Sequence, residues 1–278
     1  MAGRFSNLEF DDRSDRSETP AKQAQPRTTS AAAATTASAA ARGKFDAASF
    51  LERAIAEYRW GRFEPALRFY TRCLEQDRTV IAAWVGQVQM LVQLDECREA
   101  CVWSDKALEL FRSNGDLLAA RAQACIRLAD RKAALASSDA AFQSPGSSPG
   151  RWIARGEVLL ARGDKHAEHC FQKALLEPAA DWFDRAVIGR IYLHYRQATN
   201  AIQHIASALE RQPGHGYLWF LRGQCEAALA MTGTAADSYR RCLDARPDYS
   251  EAEAALQALG SISFGRRLLG FLRRRRLP

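Results

Sequence analysis

His166, His169 and Cys170 are the cluster in this chain whose residue types suit a metal, with Asp164 and Glu168 beside them. On a helix, His166 and Cys170 share a face, because residues four apart lie one above the other. That spacing supplies two ligands, whereas a structural zinc takes four. Solvated or half-buried histidines are therefore the expectation here. Cys97 and Cys101 also stand four apart on one helix face. The chain's seven cysteines are odd in number and scattered, with no C-x-x-C pair. Such a pattern reads as free thiols in a reducing compartment, with Cys73 and Cys242 at small-residue packing positions. No glycine-rich phosphate loop, nucleophile elbow or framed pair of carboxylates is present. No catalytic residue, metal ligand or cofactor is expected, and the chain is read as non-enzymatic.

The net charge of +7 arises almost entirely at one end. After Glu253 there is no acid, yet Arg266, Arg267, Arg273, Arg274, Arg275 and Arg276 follow. The remainder is nearly neutral, which argues against a general nucleic-acid-binding surface. In the tail, residues 261–278, a helix would line up Phe264, Leu268, Phe271 and Leu272 with arginines around them. Such a segment can rest on an anionic membrane surface or contact phosphates. A solubilising tail is the plainer alternative, since arginine outnumbers lysine 33 to 6 throughout. No run approaches the roughly 18 apolar residues of a membrane-spanning helix. The polar start, MAGRFSNLEFDDRSDRSE, lacks the features of a secretory or organelle signal. The expected location is cytoplasmic, or peripheral at the inner face of a membrane.

These features must be carried by some scaffold, and a repeat supplies it. Residues 1–44 are rich in Ser, Thr, Ala, Pro and charge, and include the run AAAATTASAAAR. They bury too little apolar surface to offset their ordering entropy and are expected to be disordered. Phe5, Leu8 and Phe10 are a candidate docking motif within them. From about residue 47, small residues recur as Ala66, Ala100, Ala134, Ala167, Ala201 and Ala235. A second series seven residues on reads Cys73, Ala107, Ala141, Ala174, Ala208 and Cys242. A third, earlier in each copy, reads Ala54, Val88, Ala122, Gly156, Gly189 and Gly223. Spacings of three, four and seven place these on one helical face, where small residues let a neighbouring helix approach.

This register resembles the tetratricopeptide repeat, whose 34-residue pattern is W-x2-L-G-x2-Y, then A-x3-F-x2-A, then P. The resemblance implies an all-α fold: a right-handed superhelical solenoid of about six helix-turn-helix repeats. The expected domains are repeats at 47–80, 81–114, 115–148, 149–181, 182–215 and 216–248 within 45–248, then a capping helix at 249–260. Gly61 and Gly163 suit a left-handed helix end, and Ser250 with Glu253 suits a capping box. Ser104 and Ser138 replace the usual bulky aromatic, which predicts looser packing. Arg185 replaces the usual Trp, with Trp182 and Phe183 displaced. One residue is missing between Gly156 and Ala167, implying a tightened turn. The loop Ser144–Gly150, SPGSSPG, is the expected hinge.

In the family the first helices often line a groove for an extended peptide or a partner helix. By register the groove positions are Tyr58, Arg59, Gln89, Gln93, Gln123, Arg127, Glu157, Arg190, His194, Tyr217 and Gln224. That lining is polar and cationic, suited to backbone hydrogen bonding and a mildly acidic ligand. The family's chaperone-binding subset uses lysines and asparagines on first helices, and none of Asn7, Asn114 and Asn200 falls there. The expectation is an adaptor or scaffold for a protein partner, peptide or helix. The alternative is a peripheral membrane protein docked by its Arg-rich tail, and nucleic acid is disfavoured.

Overall fold

A helix that must reverse direction within a few residues has to satisfy its last carbonyls from the turn itself. The commonest solution places one residue in the left-handed region and closes a 6→1 backbone hydrogen bond over it. The computed structural model, which describes residues 46–260, repeats this solution six times among those residues. The left-handed positions are Gly61, Asp95, Ala129, Gly163, Arg196 and Ala230, with φ between 59° and 74°. The following N–H, from Arg62, Glu96, Asp130, Asp164, Gln197 or Met231, reaches back to the carbonyl five residues earlier at 2.8 to 3.0 Å. Gly61 and Gly163 sit there as expected. The other four turns hold the same geometry with side chains that favour it less.

Thirteen helices and no strands follow among the described residues. The chain divides into two compact units between Gly146 and Ser147, inside SPGSSPG. The first unit contains α1 (46–59), α2 (Phe63–Gln76), α3 (Ile81–Gln93), α4 (Cys97–Leu110), α5 (Gly115–Arg127) and α6 (Arg131–Gln143). The second contains α7 (Pro149–Ala161), α8 (Ala167–Leu176), α9 (Trp182–His194), α10 (Ala198–Arg211), α11 (Gly216–Ala228), α12 (Thr232–Ala245) and α13 (250–260). Within each unit, from α2 to α6 and from α7 to α12, each helix packs on its sequence neighbours, and first helices also touch across hairpins: α3 with α5, α9 with α7 and with α11. Residues 1–45 and 261–278, including Phe5, Leu8, Phe10 and the Arg266–Arg276 cluster, lie outside the described residues.

The small-residue register is a register of close approach. A Cβ added to Gly156 would stand 2.4 Å from the Phe171 ring, one on Gly189 2.5 Å from Ile205, and one on Gly223 2.5 Å from Tyr239. In each case a large side chain on the second helix fills the space that the first-helix glycine leaves. Repeats two and three make the opposite exchange, pairing Val88 and Ala122 with Ser104 and Ser138 in the same register. All four are essentially inaccessible to solvent, so the serines leave no opening. Ser104 further satisfies its hydroxyl by donating to the Cys101 carbonyl at 2.7 Å. Indoles at the first-helix Trp position tie down the ends of loops. Trp84 Nε1 donates to the Arg78 carbonyl at 2.9 Å and Trp219 Nε1 to that of Pro213 at 2.7 Å. Where Arg185 stands instead, Trp182 packs against Phe183 and His215.

The missing residue in repeat four falls after the left-handed glycine. There the Ala167 N–H bonds three residues back, to Asp164. The equivalent alanines, Ala66, Ala100, Ala134, Ala201 and Ala235, bond four back. The turn is tightened and α8 is only 10 residues long. The capping box expected at Ser250 is absent: its hydroxyl bonds Glu251, and the Glu253 N–H bonds the Tyr249 carbonyl. A capping box forms instead at Asp181 and Asp184, opening α9. Tyr249 and Ala252 are buried as α13 begins, with Tyr249 5.1 Å from Phe220.

Gly223→Ala should destabilise the protein by about 1–3 kcal/mol, because the tyrosine ring must move off its rotamer. In a Tyr239→Ser background the same change should cost less than roughly 0.5 kcal/mol, reproducing the Ala122 and Ser138 combination. Chemical denaturation of the four proteins of this cycle measures the coupling. Equal costs in both backgrounds would refute the size exchange.

Candidate functional site

The metal-like cluster comes apart in three dimensions. The shortened start of α8 leaves His166 on an exposed turn, where Asp164 Oδ1 takes its backbone N–H at 2.9 Å and stands 2.8 Å from its Nδ1. His169 is exposed, whereas Cys170 turns into the core. Among the described residues no three His, Cys, Asp or Glu side chains come together to hold a metal ion. Cys97 is buried in its own environment. The sulfur neighbour of Cys101 is Cys125 on α5, 3.7 Å away.

In the first unit the groove positions divide by depth. Tyr58, Arg59, Gln89, Gln93 and Arg127 are half-buried, while Gln123 is buried. Tyr58 meets Phe63 edge-on at 6.2 Å. Arg127, at the end of α5, donates from Nη1 to the Val92 carbonyl on α3 at 3.1 Å. Gln93, the residue after Val92, occupies the same register as Arg127 one repeat earlier. The Gln93 Oε1 is buried and has no hydrogen-bond partner among the described residues. Gln87, six residues before it and fully buried, likewise lacks a partner for either side-chain polar atom. Sequence reasoning did not single out Gln87. Its signal is a polar residue on the inward side of IAAWVGQVQMLVQ, an otherwise apolar helix.

In the second unit Arg190 Nη1 donates to the Tyr217 hydroxyl at 2.9 Å, joining α9 to α11. Tyr217 is itself buried, which raises its phenol pKa against the opposing effect of Arg190. Glu157 is fully buried and Gln224 half-buried, whereas His194 is exposed at the end of α9 beside Tyr195. Glu157 and Tyr217 thus form part of the wall and present little surface. Two polar clusters escaped the sequence reading. Glu226 on α11, 2% exposed, takes hydrogen bonds from Arg222 Nε at 3.0 Å and Ser238 Oγ at 2.6 Å. Glu168 on α8 accepts from the Tyr192 hydroxyl at 2.5 Å, and His204 Nε2 stands 3.7 Å from the same oxygen. Tyr192 and His204 stack at 5.5 Å. A contact 3.7 Å long is too long to be a hydrogen bond. Burial therefore outweighs the carboxylate, and the His204 pKa falls below its ordinary value of 6.5, with Arg185 adding to the fall.

A histidine with a lowered folded-state pKa stabilises the fold fully above the unfolded value, and that stability is lost as pH falls toward the folded one. Stability should therefore decline as pH is lowered below about 6.5. His204→Gln should flatten that part of the profile. Denaturation midpoints between about pH 7.5 and pH 5 check it, and an unchanged slope in the variant would exclude His204 as its source.

No family model and no curated protein matches the chain. Solved structures do. A thermophilic TPR protein from Thermus thermophilus is 19% identical, with 66% of this chain and 99% of that one covered at a TM-score of 0.51. A tetratricopeptide repeat protein from Parabacteroides merdae is 17% identical over 77% of this chain and 84% of its own, at 0.48. YrrB, described as a TPR protein with an unusual peptide-binding site, is 21% identical over 68% and 97%, at 0.39. The first of these likenesses agrees with the 34-residue register and with the six hairpins closed by the same turn. The chain is built on the tetratricopeptide-repeat fold.

Proposed function

We propose that the chain is a non-enzymatic adaptor whose first helices take an extended peptide or a partner helix. One observation carries this reading: the buried, unpartnered Oε1 of Gln93 on α3, the helix to whose neighbouring Val92 carbonyl Arg127 is anchored. A buried acceptor without a donor costs about 1–3 kcal/mol, and the backbone N–H of an extended peptide would relieve that cost. Arg127 adds a preference for acidic character in the ligand. Gln89 continues the same polar stripe in the first unit, Tyr58 and Arg59 begin it, and the buried Gln123 belongs to its wall. In the second unit Arg190, His194 and Gln224 are the equivalent contacts, over a wall of Glu157 and Tyr217. Capture of a terminal carboxylate by asparagines is not supported, because Asn114 caps α5 by accepting from Asp116 and Leu117. Asn200 lies on α10, a second helix.

A second reading follows from charge alone. The six arginines after Glu253, with Phe271 among them, would hold the protein on anionic lipid, each cation near the surface contributing about 1 kcal/mol. No helix among the described residues is long and apolar enough to cross a membrane, so such attachment would be peripheral.

Peptides selected on the full chain from a random displayed library provide the test of the groove. Gln93→Leu and Arg127→Glu should each weaken a selected acidic peptide roughly tenfold by calorimetry, and Arg190→Glu should act similarly on peptides bound by the second unit. Affinities unchanged in all three variants would remove the first helices as the site. Deleting residues 261–278 should abolish flotation with vesicles containing phosphatidylserine if the tail docks the protein. Equal flotation with and without the tail would refute lipid docking.

A further inference from the structure

Cys101 and Cys125 are 24 residues apart, yet α4 and α5 bring their sulfurs to 3.7 Å. Both are free thiols. Their surroundings set them apart from the other five cysteines. Arg121, one helical turn before Cys125, is held in place by Asp105 Oδ1 and the Ser137 hydroxyl, each at 2.7 Å. Its fixed charge stands near the pair. Cys101 is only half-buried, which leaves a small solute a path to it, whereas Cys125 and the other five cysteines are buried. The hydrogen bond between the two sulfurs pushes the Cys101 thiol up. The same hydrogen bond, with Arg121, pulls Cys125 down. Burial instead drives Cys73 and Cys242 up to about 11 and Cys225 to about 12. Closing the pair to a disulfide's length of about 2.05 Å asks each sulfur to move by about 1 Å.

We propose that Cys101 and Cys125 form a redox modification site, a dithiol that hydrogen peroxide converts into an intramolecular disulfide tying α4 to α5. The thiolate of one of the two cysteines attacks one peroxide oxygen, the O–O bond breaks, and hydroxide leaves and is protonated to water. The resulting sulfenic acid is then attacked by the other cysteine, which gives up its proton as the S–S bond forms. The S–O bond breaks and the hydroxyl departs as a second water. Two thiols are oxidised by two electrons and one peroxide is reduced to two waters, so nothing further is required. The linked helices belong to consecutive hairpins, and α5 is the helix that carries Gln123 and Arg127. The modification does not depend on those residues binding a ligand.

The test uses the full-length protein, reduced, desalted and treated with roughly equimolar hydrogen peroxide. Remaining thiols are then alkylated and the protein is digested with trypsin without reductant. Cleavage after Arg98, Lys106, Arg121 and Arg127 separates Cys97 from Cys101 and places Cys101 in peptide 99–106 and Cys125 in 122–127. A disulfide joining those two peptides should be the main product and should disappear on reduction. Its formation should outpace loss of the Cys73, Cys225 and Cys242 thiols by at least about tenfold. Cys101→Ser, a change at the half-exposed partner, should abolish the link, and with it the capture of a trivalent arsenical that needs two adjacent thiols. Alkylation of both cysteines after peroxide, links to other cysteines, or links between two copies of the chain would each overturn the proposal.

Discussion

How closely the two helices of a hairpin can pass depends on one pair of positions sixteen residues apart, fifteen in the shortened repeat. The rest of the structure is arranged around that distance. In repeats two to six, glycine opposite an aromatic or isoleucine, or a larger residue opposite serine, moves the bulk from one helix to the other, whereas repeat one pairs Ala54 with Tyr70, whose ring lies against Gly86 of α3. Because side chains in a core are packed like a solid, neither helix can shift to absorb a mismatch. The exchange also explains why repeats with eroded family residues still bury their cores completely. Once the pair is fixed, the first helices fall beside one another, and their remaining side chains become a surface.

The turns work under the same economy. Three residues separate the helices in five of the six hairpins, and the N–H that closes the 6→1 bond belongs to the residue whose carbonyl starts the following helix. Removing one residue from this unit, as repeat four does, cannot be accommodated in the left-handed cap. It is taken instead from the first turn of α8. The consequence is chemical as well as structural. His166 is displaced from a helical register into a solvent-exposed turn, and the apparent metal cluster dissolves.

Much of the fold was legible because it depends on period. Ala66 to Ala235 and Gly156 to Gly223 mark their own spacing, and a one-dimensional array translates spacing directly into contacts between neighbours. The proposed site was legible only as a register. That Gln93, Arg127, Arg190 and Gln224 lie on first helices follows from counting. That Tyr217 and Glu157 are buried, that Arg127 is pinned to the Val92 carbonyl, and that Gln93 has an orphaned oxygen depend on how neighbouring helices crowd each position. Counting carries no information about that. Gln87, Glu226 and the group formed by Glu168, Tyr192 and His204 were missed for a related reason. Each is an ordinary residue in its own helix and becomes notable only through what stands opposite.

By itself the sequence determined the repeat, its length, the helices and the faces that pack, since these are set by local propensity and by small residues at helical spacing. It also placed the basic charge at one end. Only the tertiary structure decided which side chains meet across helices. Cys97 and Cys101 share a face by spacing, yet the sulfur that approaches Cys101 is that of Cys125, from the next hairpin. The left-handed turn falls on Asp95, Ala129, Arg196 and Ala230 as readily as on glycine, because the hydrogen bonds and packing of the whole hairpin outweigh the preference of one residue.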